Sequence, residues 1–185
     1  MSSQLVQQAA KILKQGGVIA YPTEAVYGLG CDPSNEKAVQ RIIELKGRDT
    51  AKGLILIAAS YSQLQPYLAE INQETKKELL ASWPGPVTWI VPANDSVSNG
   101  LRGKHTTLAV RVTAHPLVQE LCRAFDGAIV STSANPAGQE PARTATEVNA
   151  YFKENLDFIL EGETGGLDKP TEIRDAITKK IIRPA

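Results

Sequence analysis

Cysteine, histidine and aromatic residues are scarce in this 185-residue chain, and each scarcity removes a class of function. The two cysteines, Cys31 and Cys122, are far apart, without CxxC spacing or a neighbouring histidine, so the sequence encodes neither a zinc site nor a disulfide framework. Reduced, buried thiols are predicted. The two histidines, His105 and His115, provide no Ser-His-Asp set, and no nucleophile elbow occurs, which argues against covalent hydrolysis. Aromatic residues make up 5%, with no RRM or KH signature, so base stacking is not advertised. No apolar run reaches about 18 residues, and Met1-Ser-Ser-Gln begins no basic-then-apolar leader; a soluble, cytoplasmic protein without a membrane contact is expected. The GxxxxGKS/T loop and the strand-linked GxGxxG turn are both missing. Neither sign of charge dominates, since 20 Lys and Arg face 20 Asp and Glu; a basic surface has to come from local clustering.

What is present is an α/β pattern with 42% hydrophobic residues, enough for one core and a single domain over residues 1–185. Leu5, Ala9 and Leu13 share a helical face flanked by Val6 and Ile12, and Gly16-Gly17 can end that helix in a left-handed turn before a strand from Val18 to Tyr21. Asn35 can cap a second helix with Val39, Ile42 and Ile43 inward, ending near Lys46-Gly47. Leu54-Ile-Leu-Ile-Ala reads as a strand buried on both faces. Helices over about 60–66 and 73–82 follow, with Pro66 and Trp83-Pro-Gly-Pro86 as breakers. Strands are predicted near 87–91, 108–112 and 128–131, a helix after His115-Pro116, a capping box at Thr144-Ala-Thr-Glu147, and strands near 158–160, 173–177 and 181–183, the last two close enough for a hairpin. The fold class is α/β: a twisted, mixed parallel and antiparallel sheet with packed helices.

Polar residues gather in four places. Pro22-Thr23-Glu24 with Tyr27 stands where the first strand should end. Lys46-Gly-Arg48-Asp-Thr-Ala-Lys52 puts three cations at a helix exit, where each gains only about 0.3–1 kcal/mol from the helix dipole. Ser131-Thr-Ser-Ala-Asn135-Pro-Ala-Gly138 is either an ordinary turn or a phosphate-binding concavity of hydroxyls and backbone N–H groups. Arg111 lies inside the apolar strand Leu108–Val112 and requires a carboxylate, a phosphate or a ligand. His115 reads as a capping residue, and His105, in Arg102-Gly-Lys-His105, as a solvated turn or a phosphate contact. Cations and hydroxyls without a metal-type cluster suit a phosphorylated or carboxylated small molecule.

Tyr21-Pro-Thr-Glu-Ala-Val-Tyr-Gly-Leu-Gly30, Lys46-Gly-Arg48, Trp83-Pro-Gly-Pro-Val-Thr88, Leu108-Ala-Val-Arg-Val112 and Ser131-Thr-Ser-Ala-Asn-Pro-Ala-Gly138 occur in the order found in the YrdC-like family, which the chain resembles from about residue 5 to Arg183. The resemblance implies a nucleotidyltransferase forming threonylcarbamoyl-AMP and pyrophosphate from L-threonine, bicarbonate and ATP. Partner proteins would then pass the threonylcarbamoyl group to the adenosine beside the anticodon of tRNA. It implies no additional C-terminal domain, no protein metal site, and magnesium carried by ATP. Lys46 and Arg48, in catalytic roles, would hold the ATP phosphates, with Lys52, Thr107, Ser133, Asn135 and Arg183 also at the nucleotide. Thr23, Ser131, Thr171 and Arg111 would hold threonine, the arginine by a bidentate fork on its carboxylate. Pro22 would fix the bend, and Gly28 and Gly30 would let backbone approach closely. Two positions depart from the family pattern: Asp49 and Gly53 stand where prolines are common. Arg143 and Arg174 are extra phosphate contacts, tRNA-facing charges or salt-bridging residues.

Other readings remain open on sequence grounds. A non-catalytic tRNA or double-stranded RNA binding module would gather Lys46, Arg48, Lys52, Arg102, Lys104, Arg143 and Arg183 on one concave face. A carbamoyltransferase or hydrogenase-maturation factor is disfavoured because acylphosphatase-like and zinc-finger segments are missing. The synthase reading is compatible with a weak tRNA contact.

Overall fold

The computed structural model describes residues 2–184. In chain order it contains α1 (Ser2–Lys14), β1 (Ile19–Pro22), β2 (Tyr27–Gly30), α2 (Glu36–Lys46), β3 (Ile55–Ala58), α3 (Tyr61–Leu64), α4 (Gln73–Ser82), β4 (Val87–Pro92), α5 (Asn99–Arg102), β5 (Thr107–Val112), α6 (Pro116–Phe125), β6 (Ile129–Ser133), α7 (Ala145–Phe152), β7 (Phe158–Ile159), β8 (Glu172–Asp175) and β9 (Ile181–Arg183). Among the described residues these strands form one mixed sheet in the order β7-β1-β2-β6-β3-β5-β4-β8-β9. Pairs β1/β7, β3/β5 and β4/β8 are parallel and the others antiparallel, as the α/β pattern predicts.

The local signals set the helix ends. Asn35 accepts from the Ala38 N–H and Gly47 closes α2 in the left-handed region, while Thr144 and Glu147 form the reciprocal capping box of α7. Three expectations give way to packing. Leu5 is exposed, because the buried stripe of α1 runs through Val6, Ala9, Ala10 and Leu13. The helix predicted over about 60–66 is one short α turn continued by a 3-10 turn at Gln65–Tyr67 that accommodates Pro66. Tyr27-Gly-Leu-Gly30, which is not among the strands the pattern predicts, is a strand paired on both sides. Its glycines made it look like a loop, but a Cβ on Gly30 would stand 2.6 Å from the Val130 carbonyl oxygen, so the ladder itself demands glycine there.

Side-chain alternation divides the sheet into two faces. On one, Leu29, Leu56, Val110 and Val130 meet Val39 and Ile42 of α2, Leu79 of α4, Leu101 of α5 and Val148 and Phe152 of α7. On the other, Ile19, Tyr21, Ile57 and Ile129 meet Val6, Ala9 and Leu13 of α1 and Val118, Leu121 and Cys122 of α6. Both cysteines are free and buried; burial raises the thiol of each, Cys122 up to about 12, as the sequence predicts for inert thiols.

Helices α1 and α6 cover only part of the second face. The remainder is crossed at the strand ends by an extended strap, residues 160–171, that connects β7 at one edge to β8 near the other. Gly165 N–H donates to the Thr23 carbonyl (2.9 Å), Leu167 N–H to the Glu24 carbonyl (3.0 Å), and Tyr27 Oη to the Gly162 carbonyl (2.6 Å). A Cβ on Gly165 would lie 3.0 Å from the Glu24 Cα, so the strap and the 23–26 turn are in direct backbone contact.

Candidate functional site

The uncovered part of the second face is the floor of a cavity of about 330 Å³. Strand register builds it. Ile55 of β3 pairs with Ala109 of β5 and with Ser131 of β6, Ser133 pairs with Gly28 of β2, and Ile173 of β8 pairs with Arg183 of β9; all of these residues line the cavity. Two residues along from Ala109, Arg111 therefore projects from the same face, and the 23–26 turn and the strap residues Pro170 and Thr171 form the walls. The volume is at the lower end of the roughly 300–1,000 Å³ typical of small-molecule sites.

Of the predicted site residues, Thr23, Arg48, Arg111, Ser131, Ser133, Thr171 and Arg183 converge on this cavity. Three guanidinium groups thus face one small space. Arg111 is only 4% exposed and its hydrogen bonds are fixed by three elements: Nη1 donates to Thr88 Oγ1 (3.1 Å) and Thr171 Oγ1 (2.8 Å), and Nη2 to Glu24 Oε2 (3.1 Å). Its Nε–H is buried without an acceptor. An unmet buried donor costs about 1–3 kcal/mol and calls for an explanation, such as an anion yet to bind. Glu24, which the sequence placed in a polar cluster but to which it gave no role, is the one carboxylate among the described residues that pairs with Arg111; its Oε1 accepts from Thr113 Oγ1 (2.7 Å). Arg48 donates from Nε to the Lys52 carbonyl (3.1 Å) and from Nη2 to the Gly53 carbonyl (3.0 Å), and Arg183 from Nη2 to the Thr171 carbonyl (2.7 Å). Neither has a carboxylate partner among these contacts, so the cavity is electropositive.

Lys46, Asn135, Lys52 and Thr107 do not line the cavity. Lys46, 4% exposed, donates instead to the carbonyls of Ser133 and Asn135 (2.8 Å for the latter) and to Asn135 Oδ1 (3.3 Å), stapling the end of α2 to the loop after β6. Asn135 Nδ2 closes that loop on the Pro136 and Gln139 carbonyls at 3.0 and 2.8 Å. Thr107 sits at the start of β5, and Lys52 is exposed, bridging backbone with Gly103. The departures from the family pattern have local reasons. Asp49 Oδ1 accepts from the Ala51 N–H (2.9 Å), which stiffens the loop in place of a proline ring. A Cβ on Gly53 would lie 2.9 Å from the carbonyl oxygens of both Leu101 and Arg102.

Burial, and secondarily the charge of Arg48, push the Lys46 ammonium down to about 8. Between pH 8 and the 10.5 of a free lysine the unfolded chain holds a proton that the folded Lys46 has lost, so this group's contribution to stability rises with pH in that interval. The two raised thiols titrate in the unfolded chain over part of the same interval and act in the opposite sense, so the effect is read against Lys46→Met, which keeps both. From about pH 7.5 to about pH 9 the unfolding free energy of the parent should gain about 1 kcal/mol on that of the variant, as denaturant melts of both proteins at the two pH values test.

The other charged positions resolve singly. His115 precedes α6 without a side-chain cap; its Nε2 meets the Glu163 carbonyl at 3.0 Å and it secures the strap instead. Arg143 Nη2 donates to the Asp168 carbonyl (2.6 Å), and Arg174 pairs with Glu172 and lies over the Trp89 ring, 5.7 Å from its centroid. The seven cations proposed for a concave RNA face therefore do not form one: Lys46 is buried, Arg48 and Arg183 line the cavity, Arg143 holds the strap, and Arg102 and Lys104 line a separate cleft with His105.

Comparison with known proteins agrees with the motif order. A Sua5/YciO/YrdC family model, described as telomere recombination, matches residues 11–185. A protein of Hahella chejuensis named threonylcarbamoyl-AMP synthase is 53% identical over 99% of this chain and all of its own. The crystal structure of P. abyssi Sua5 complexed with L-threonine superposes with a TM-score of 0.87 at 33% identity, over 92% of this chain and half of that longer one. The crystal structure of E. coli YciO superposes with a TM-score of 0.85 at 27% identity, over 98% of this chain and 89% of that one.

Proposed function

This chain belongs to the Sua5/YciO/YrdC family, and we infer from that membership and from the cavity how it works. It is a threonylcarbamoyl-AMP-forming nucleotidyltransferase: L-threonine, bicarbonate and ATP give threonylcarbamoyl-AMP and pyrophosphate, for modification of the adenosine beside the tRNA anticodon. The observation that carries the assignment of residues is the meeting of Arg48, Arg111 and Arg183 on one cavity with no Asp or Glu among its described lining residues, the Glu24 carboxylate being paired with Arg111.

The chemistry needs that charge. The amine of threonine attacks the carbon of bicarbonate, a C–O bond breaks and water leaves, giving a carbamate; a carbamate oxygen then attacks the α-phosphorus of ATP, and the bond to the bridging β-phosphate oxygen breaks as pyrophosphate leaves. Nucleophile and electrophile are both anionic, so positioning and charge neutralisation supply most of the acceleration, and a histidine base is not required. In this reading Arg48 and Arg183 neutralise the phosphates, which their position on the cavity beside Ser133 supports. Arg111 forks the carboxylate, which its unmet Nε–H and the neighbouring hydroxyls of Thr23, Ser131 and Thr171 support. Lys46 acts at the nucleotide by fixing the Ser133–Asn135 loop, with Lys52 and Thr107 outside the cavity. Glu24 is committed to Arg111 and Thr113, so the donor set suits anions, and magnesium enters with ATP as part of that substrate. Transfer to tRNA falls to partner proteins, a weak tRNA contact to the outward Lys52 and Lys104, and the setting is the cytoplasm. No helix among the described residues is long and apolar enough to cross a membrane.

Incubation with ATP, magnesium, bicarbonate and single amino acids tests the reading. Pyrophosphate release that depends on threonine and bicarbonate, with a threonylcarbamoyl-AMP mass, is expected. Folded, ATP-binding protein without turnover, but with salt-sensitive RNA binding, would instead point to a binding module.

A further inference from the structure

We propose that Glu24 is a positioning residue for the amino acid: it orients Arg111 so that the guanidinium keeps a donor without a protein acceptor for the substrate carboxylate. The proposal rests on the threonine-binding role given to Arg111 above. Arginine carries one proton on Nε and two on each Nη. Both acceptors of Nη1 are threonine hydroxyls, Thr88 and Thr171, and Glu24 takes one proton of Nη2. The Nε proton has no protein acceptor, and Nη2 carries a second proton besides the one given to Glu24. Nε and Nη2 are neighbouring nitrogens of one planar group, the pair that meets a carboxylate bidentately when both offer a proton on the same edge.

Glu24 is itself unusually well held. Its side chain is 8% exposed; Oε1 is fixed by Thr113, whose hydroxyl also accepts from the His115 N–H at 3.0 Å. Its backbone carbonyl accepts from Leu167, and the strap runs so close that a Cβ on Gly165 would meet the Glu24 Cα at 3.0 Å. The turn, β5 and the strap therefore agree on one position for this carboxylate. A buried arginine with a single rigid counter-charge samples few orientations, and the carboxylate of the incoming amino acid meets a preformed fork rather than ordering a loose one. Charge compensation alone would not need the second anchor on Thr113.

Steady-state kinetics on the full chain separate this role from a structural one. Glu24→Ala should raise KM for threonine at least about tenfold, with KM for ATP and kcat at saturating threonine within about twofold of the parent. Glu24→Gln, which keeps an acceptor oxygen at the same reach, should recover most of the affinity. Because the alanine variant leaves Arg111 buried without a counter-charge and can lose the fold, Glu24→Asp carries the test as well. It retains the charge but withdraws it by one methylene, and KM for threonine should again rise at least about fivefold. An Asp variant with parental threonine KM, or a Gln variant as impaired as Asp, would mean that charge rather than orientation is what Glu24 contributes, and the proposal falls. Parallel loss of threonine and ATP affinity with a lowered melting temperature would overturn it in favour of a purely structural role. Absence of threonine-dependent product from the parent protein would refute the threonine reading itself, and with it this one.

Discussion

Arg111→Ala is expected to lower threonylcarbamoyl-AMP formation at least about tenfold, the loss of roughly 1.4 kcal/mol or more of transition-state stabilisation. Two effects act together. The carboxylate of threonine loses its fork, and Glu24 is left buried without its partner, which in comparable cases costs about 3–5 kcal/mol of stability. The second effect can masquerade as the first, so melting temperature has to accompany the rates. Arg111→Lys distinguishes them further: an ammonium keeps the charge opposite Glu24 but cannot reproduce the planar fork or bond Thr88, Thr171 and Glu24 at once. A stable lysine variant with a raised threonine KM supports the assignment. Full activity in both variants would remove Arg111 from the site.

Lys46→Ala should also cost at least about tenfold, by a different route from the one its motif suggests. In the structure the ammonium is spent on the Ser133 and Asn135 carbonyls and the Asn135 amide oxygen, so its removal frees the loop that carries Ser133 to the cavity wall. The expected signature is a weakened response to ATP, with threonine binding in the absence of nucleotide preserved. Lys46→Arg should not rescue it, because a guanidinium cannot fill a buried site shaped for an ammonium with three convergent acceptors. Parental kinetics in the alanine variant would reject both the phosphate-contact and the loop-fixing roles.

The physical reasons for reading or missing each feature differ. Helix ends were legible because capping is local: Asn35, Gly47 and the Thr144–Glu147 box each act within one turn. The need for a partner at Arg111 was legible because an arginine in an apolar strand cannot be buried alone. The identity of that partner was not, since Glu24 and Arg111 are brought together by strand order and by the strap, neither of which leaves a periodic trace. Strand β2 leaves no local signal because its glycines answer to neighbours on two other strands. Lys46 and Arg48, two residues apart, looked equivalent; the left-handed Gly47 between them turns the chain so that one faces the loop and the other the cavity.

The connection from β7 to β8 also bears on how the molecule is made. Strand β1 waits for a partner from residues 158–159 and β4 for one from residues 172–175, so the sheet pairs its earliest and latest segments. Contacts of such sequence separation form late and slowly. A chain emerging from synthesis can assemble β2, β6, β3 and β5 while two sheet edges stay open, and those edges are sites for mispairing with another copy. Arg183 and Thr171 arrive only with the final strands. Catalytic competence consequently waits for β8 and β9, and a product terminated before β8 would retain much of the core yet bind threonine and ATP poorly.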